Sequence, residues 1–169
     1  MYLQSKHFNE NGQLIDLVYP ELNEDGISDK HILKRGDVLF AAKGNKNFAA
    51  WYDNMAYGDY PAVASTSFFV IRLNDNTQNV ILPEYLAWFI NHPVTQNYLK
   101  NKARGTSMAS ISKVVLEELE ISIPDLQTQK TVLKIAQLRN KEKRLKQKIE
   151  TLKEKQIQQH LIRAINYKL

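Results

Sequence analysis

The chain has no cysteine, which excludes disulfides and zinc sites built on thiolates. Its four histidines, His7, His31, His92 and His160, stand without ligand spacing, so no metal is expected. No apolar run reaches the length of a membrane span, and no basic start precedes an apolar N-terminal core. A cytoplasmic protein that avoids membranes is the expectation. No glycine-rich fingerprint for a nucleotide or a methyl-donor cofactor is present, so no cofactor is expected. Pro124-Asp125 suggests a nuclease core, but Glu142, Glu150 and Glu154 all lack the lysine two residues on that such a core needs. Asp53 and Asp59 flank an aromatic loop with no histidine or second carboxylate cluster beside them. Catalysis is therefore not expected of this chain.

The last absence points to what is there. From Asp125 to Leu169 there is neither glycine nor proline. That stretch can form one helix of about 40 residues, about 60 Å long at about 1.5 Å per residue. Asp125 is a natural N-cap. Ile135, Leu138, Leu145, Ile149 and Leu152 recur at helical spacings of three, four and seven, with Glu142 interrupting at an a position. Beyond Leu152 the apolar residues shift to Ile157, Leu161 and Ile165, so the seam drifts. A stripe this narrow suits pairing with another helix, whereas Val132 and Leu133 are expected to pack on the chain's own domain. The division is thus residues 1–124 as a mixed domain and 125–169 as a long dimerisation or spacer helix. An antiparallel pair with a second copy is expected, because a parallel pair would lay the basic run beside itself.

Charge is uneven. Residues 139–155 carry eight Lys or Arg against three Glu, whereas residues 1–138 carry thirteen against fifteen acids. The basic helix fits a partner surface or simply a solvated face. Any nucleic-acid contact by the domain must come from a local patch.

Within the domain, Asn11-Gly12 predicts a hairpin between Leu3–Phe8 and Gln13–Val18. An acidic loop spans Glu21 to Asp29. Strands are expected at Val38–Ala42, Ser67–Arg72 and 118–123, the last because Leu119, Ile121 and Ile123 alternate with polar residues. Residues 43–61 read as loop. Pro83 should open a helix, His92-Pro93 should interrupt it, and a second helix should run from Val94 to about Ala103 with Val94, Tyr98 and Leu99 inward, ended by Gly105. A short turn follows at Ser112–Glu117. The fold class is α+β.

Two loops carry the chemistry of DNA contact, which needs cations near phosphates and donors or acceptors near base edges. The first contains Lys43, Gly44, Asn45 and Lys46, with a glycine that permits close backbone approach. The second, Lys100 to Lys113, holds Lys100, Lys102, Arg104 and Lys113 and no acid, with Thr106 and Ser107 beside Gly105. The first also fits an ordinary polar loop. The second also fits a helix end whose cations complement the dipole.

The chain resembles the DNA-specificity subunit of type I restriction–modification systems. The resemblance lies in Leu33-Lys34-Arg35-Gly36-Asp37-Val38-Leu39-Phe40, Ala64–Ile71 and Glu84-Tyr85-Leu86-Ala87-Trp88-Phe89-Ile90. It continues through Gly105-Thr106-Ser107, Ile111-Ser112-Lys113 and Ile121-Ser122-Ile123-Pro124 to Gln129. It implies one target-recognition domain of mixed α/β build joined to a long coiled-coil helix, in a half-size form that enters the family's domain part-way through. It also implies a non-catalytic subunit that directs methyltransferase and restriction subunits to a bipartite site. The implied partners are double-stranded DNA, those subunits, and a second copy held through the C-terminal helix. Lys43, Lys46, Arg104 and Lys113 would anchor phosphates, and Asn45, Thr106 and Ser107 would reach base edges. A coiled-coil regulatory protein that binds the methyltransferase subunit without reading DNA is the alternative.

Overall fold

The computed structural model describes residues 1–15, 28–44, 47–53, 61–103 and 110–166. Residues 1–129 form one compact unit and 130–169 a second. The first is built on a three-stranded antiparallel sheet. Its centre is β2 (Val38–Ala41); β3 (Ala49–Trp51) and β5 (Phe68–Ile71) flank it. Val38 pairs with Trp51 on one side and Ile71 on the other, fixing the register. All four residues of β2 are buried, as expected of a central strand covered on both faces. β1 (Tyr2–Leu3) and β4 (Val63–Ala64) form a separate parallel pair.

The core lies between these sheets. Phe8, Phe48 and Phe68 meet with ring centroids 5.8–6.0 Å apart, beside fully buried Leu3 and Leu39. Burying one such ring stabilises the fold by about 1.5–3 kcal/mol.

A one-turn helix, α1 (Asp75–Gln78), leads to α2 (Pro83–Asn91) and α3 (Pro93–Lys102). A proline opens each of the latter two, where its missing N–H costs nothing. α2 packs on β2 and β3, burying Tyr85, Leu86, Ala87 and Ile90. In α3 the inward pair is Thr95 and Leu99; Val94 is 70% exposed, contrary to expectation. Starting the helix at Pro93 puts the i, i+4 pair Thr95–Leu99 on the domain and Val94 to one side. The end expected at Gly105 lies outside the described residues. α4 (Lys113–Glu117) occupies the expected short turn.

Three further expectations change. Residues 43–61 include a strand, β3, so they are not all loop. The segment 118–123 is not a strand. Leu119 and Ile121 are half-buried there, and the Tyr85 hydroxyl donates to the Ser122 carbonyl at 3.0 Å. The alternation records docking of an extended segment near α2, without a ladder. Burial raises the Tyr85 pKa, which keeps that hydroxyl a donor. The hairpin at Asn11-Gly12 narrows to a single bridge, Phe8 to Leu14, and Ser5–His7 is a 3-10 turn. Residues 16–18 of that hairpin and 21–27 of the acidic loop lie outside the described residues.

Polar ties hold the unit at distant points. The Arg72 guanidinium donates to both carboxylate oxygens of buried Asp37, at 2.7 and 2.6 Å. Its hydrogen bond to Asp37 holds the Arg72 pKa above its ordinary value. Asn91 accepts from the Ala49 N–H at 2.8 Å and donates to the Ala49 carbonyl at 2.7 Å, satisfying the outer edge of β3 there. Gly12 sits at φ +71°, and a Cβ there would lie 1.9 Å from the Ala49 carbonyl oxygen. Gln129, fully buried, accepts from the Leu82 N–H at 2.9 Å and donates to the Val80 and Pro124 carbonyls, both at 2.7 Å.

The final helix, α5, runs Leu126–Asn166, 41 residues, which is about 60 Å. Asp125 caps it: the Thr128 N–H donates to one carboxylate oxygen at 3.0 Å and the Thr128 hydroxyl to the other at 2.6 Å. These bonds hold the Asp125 pKa below its ordinary value, the Thr128 hydroxyl contributing most. Among the described residues, no helix is long and apolar enough to cross a membrane.

Candidate nucleic-acid interface

β2 continues past Ala41 into a crossing of three segments. The Ala42 N–H donates to the Ser67 carbonyl at 2.9 Å, and the Ile111 N–H donates to the Ala42 carbonyl at 3.0 Å. Lys43 and Ser110 then form an antiparallel bridge. Ile111 is 1% exposed, so this crossing is anchored in the core. Lys43 and Ser110 therefore lie on neighbouring backbone, though 67 residues separate them in sequence.

Lys43 is exposed at that root. Gly44 follows at φ +136°, with open space where a Cβ would be. Asn47 closes the loop by donating to the Ala41 carbonyl at 2.8 Å. On the other side, Ser112 caps α4 by accepting from the Val115 N–H at 3.3 Å, and Lys113 begins the helix. Lys113 reaches Glu117 one turn on at 3.3 Å, with both side chains mostly exposed. An exposed i, i+4 pair of this kind holds its lysine weakly, so Lys113 can exchange Glu117 for a phosphate. Lys100 and Lys102 lie in the last turn of α3, and the Lys102 ammonium stands 5.9 Å from the Tyr98 ring centroid.

The structure thus places Lys43 and Lys113 on segments that meet. Asn45, Lys46, Arg104, Thr106 and Ser107 lie outside the described residues. One cationic feature escaped sequence reasoning. Lys30, His31 and Arg72, with Ser65 and Thr66, line an open groove of about 760 Å³ beside β4 and β5. Its two cations, Lys30 and Arg72, come from segments some forty residues apart, and no local pattern joins them. Among the described residues, no cluster of His, Cys, Asp or Glu could hold a metal ion.

In the second unit, Ile135, Leu138, Leu145, Ile149 and Leu152 are each between 51% and 60% exposed. Glu142, between them, is paired with Lys146 at 2.6 Å, and that hydrogen bond lowers the Glu142 pKa.

Comparison with known proteins completes the description. The model of the type I restriction modification DNA specificity domain matches residues 8–154. No curated protein matches the chain. Among solved structures, the HsdS subunit from Thermoanaerobacter tengcongensis is similar in fold, with a TM-score of 0.62 and 21% identity over 86% of this chain. The match takes up 37% of the HsdS chain, so the present chain spans well under half of that protein's length.

Proposed function

We infer the function from one premise: the chain belongs to the type I restriction modification DNA specificity domain family. It is a non-catalytic recognition subunit that reads DNA sequence and directs methyltransferase and restriction subunits to it. The observation that carries this reading is the crossing at Ala42, Lys43, Ser110 and Ile111, which brings the backbone beside exposed Lys43 and Lys113 together.

Lys43, Lys46, Arg104 and Lys113 neutralise phosphates and fix the register on the duplex. Asn45, Thr106 and Ser107 reach base edges in a groove. Residues 1–124 form the recognition domain, and the helix 125–169 is the spacer that holds it at a fixed distance from a second recognition unit. One domain reads one part of a bipartite site, and the second unit arrives on whatever helix covers the seam of α5. A second copy of this chain brings that unit, and the methyltransferase subunit binds the same long helix. The protein acts in the cytoplasm, where its DNA is.

The alternative is a coiled-coil regulator that binds the methyltransferase subunit without reading DNA; the exposed α5 seam supports it equally. Binding of the full chain to duplexes of different sequence across a salt series separates the two. A reader of DNA shows sequence preference and a log–log salt slope of about −0.9 per phosphate contacted. A regulator shows neither.

A further inference from the structure

The groove beside β4 and β5 holds polar groups that the recognition loops do not use. Phe68, Val70 and Arg72 alternate along β5 and its exit, so one face of the strand supplies all three to the groove. Thr66 continues the row at the near end, and Ser28 and Lys30 line the same space from another segment. No Asp or Glu lines it. Lys30 is exposed and has no ion-pair partner among the described residues.

Arg72 has donors to spare. A guanidinium carries five N–H groups in a fixed fork. Nε and Nη2 donate to the two carboxylate oxygens of Asp37, and Nη2 also donates to the Ile32 carbonyl at 3.1 Å. The N–H groups on Nη1 have no partner among the described residues. Asp37 is 1% exposed and also accepts from the Lys34 N–H at 2.7 Å, so it fixes the orientation of the fork. The Arg72–Asp37 pair is neutral overall. Arg72 therefore supplies aimed donors, and Lys30 supplies the free charge. An oriented N–H fork, an unpaired ammonium and the hydroxyls of Ser28 and Thr66, with no acid beside them, match the oxygens of a phosphate.

The position of the groove says whose phosphate. The Ser67 carbonyl, next to Thr66, accepts from the Ala42 N–H at 2.9 Å and the Lys43 N–H at 3.4 Å, so the groove starts beside the crossing at Lys43. From Thr66 to Arg72 an extended chain covers about 20 Å at about 3.3 Å per residue. That length matches about 6 base pairs of duplex at about 3.4 Å each. We propose that the groove is a second phosphate-binding site for the same duplex, in which Lys30 and Nη1 of Arg72 hold the sugar–phosphate backbone up to about 6 base pairs from the phosphate at Lys43. This rests on the recognition reading above and extends it: the groove grips DNA beside the recognised bases without reading sequence. An acidic peptide would satisfy the same cations, but nothing would lead it on to Lys43.

Two measurements on the full chain test this. The first is anisotropy titration of one fixed duplex of about 30 base pairs across a salt series. Lys30→Ala should weaken low-salt binding about 3- to 10-fold and flatten the log–log slope by about 0.9, whereas Lys30→Arg should bind as the parent does. Lys30 is exposed, so these changes leave the fold intact, and an unchanged urea midpoint verifies it. Arg72 is left in place, because removing it would strand buried Asp37. The base preference of Lys30→Ala, found by selection from random duplexes, should equal the parent's. The second measurement uses the absence of cysteine: Ser28→Cys carries an iron chelate at that position alone. It should cleave the bound duplex backbone above the level given by free chelate. Parental affinity and slope in Lys30→Ala overturn the proposal. So does a changed base preference, which would make Lys30 a base reader. A duplex left uncut from Ser28→Cys overturns it too, since Lys30 would then act only at a distance. If the parent binds no duplex at all, the recognition reading itself fails and takes this proposal with it; loss at Lys30 alone leaves that reading standing.

Discussion

Replacing Gln129 with leucine removes a side chain that is fully buried and makes hydrogen bonds at both ends of its amide. Leucine has similar volume, so the packing change is small and the polar change dominates. The Leu82 N–H and the Val80 and Pro124 carbonyls all lose a partner. Val80 is 53% exposed, so water replaces part of that loss. At about 0.5–1.5 kcal/mol for each bond and more for an N–H left dry, the cost is about 2–4 kcal/mol. That is a large share of the roughly 5–15 kcal/mol that stabilises a typical domain. Urea unfolding followed by circular dichroism measures it, with the slope m unchanged if only stability moves. The variant Gln129→Glu sharpens the test, because it keeps the acceptor for Leu82 but turns an anionic oxygen toward two carbonyls. The introduced carboxyl should have a folded-state pKa above the unfolded value of about 4.3. Its stability should be fully present below that value and lost as pH rises through the folded pKa. A loss under about 0.5 kcal/mol for Gln129→Leu, within the range of an ordinary surface change, would refute the tether.

Other perturbations follow from the same geometry. Gly12→Ala forces a Cβ to 1.9 Å from the Ala49 carbonyl oxygen at a positive φ, so soluble yield and Tm should fall well below those of Asn11→Ala in a thermal scan. Asp125→Asn should leave the start of α5 intact near neutral pH but remove its acid sensitivity. The lowered Asp125 pKa means its contribution is present above the ordinary value of 3.8 and is lost as pH falls through the folded value. A circular dichroism pH titration reads this as a helicity step in the parent that the variant lacks. Lys43→Ala should weaken duplex binding alike for preferred and scrambled sequences and flatten the log–log salt slope by about 0.9, which anisotropy titration would show.

Local chemistry in the sequence reveals much of this molecule. Pro83 and Pro93 mark the starts of α2 and α3, Asp125 marks that of α5, and the β-branched and aromatic runs at Val38–Ala41 and Phe68–Ile71 mark two strands. β3 was hidden because Ala49 and Ala50 carry little strand preference; its pairing with Val38–Phe40 makes it a strand. The segment 118–123 carries the alternation of a strand, yet it docks without a ladder. Arg72 with Asp37, Asn91 with Ala49 and Gln129 with Leu82 join positions 35–47 residues apart, beyond any local pattern. At the candidate interface the cations were legible as composition. The meeting of Lys43 with Ser110 was not, because it depends on the packing of Ile111 into the core.

The most direct test of the central claim is selection of bound duplexes from a random library, using the full chain alone and with its methyltransferase subunit. The account predicts enrichment of one short motif, unchanged in sequence by Lys43→Ala. Recovery of no motif under either condition, with equal affinity for every duplex across the salt series, would contradict it.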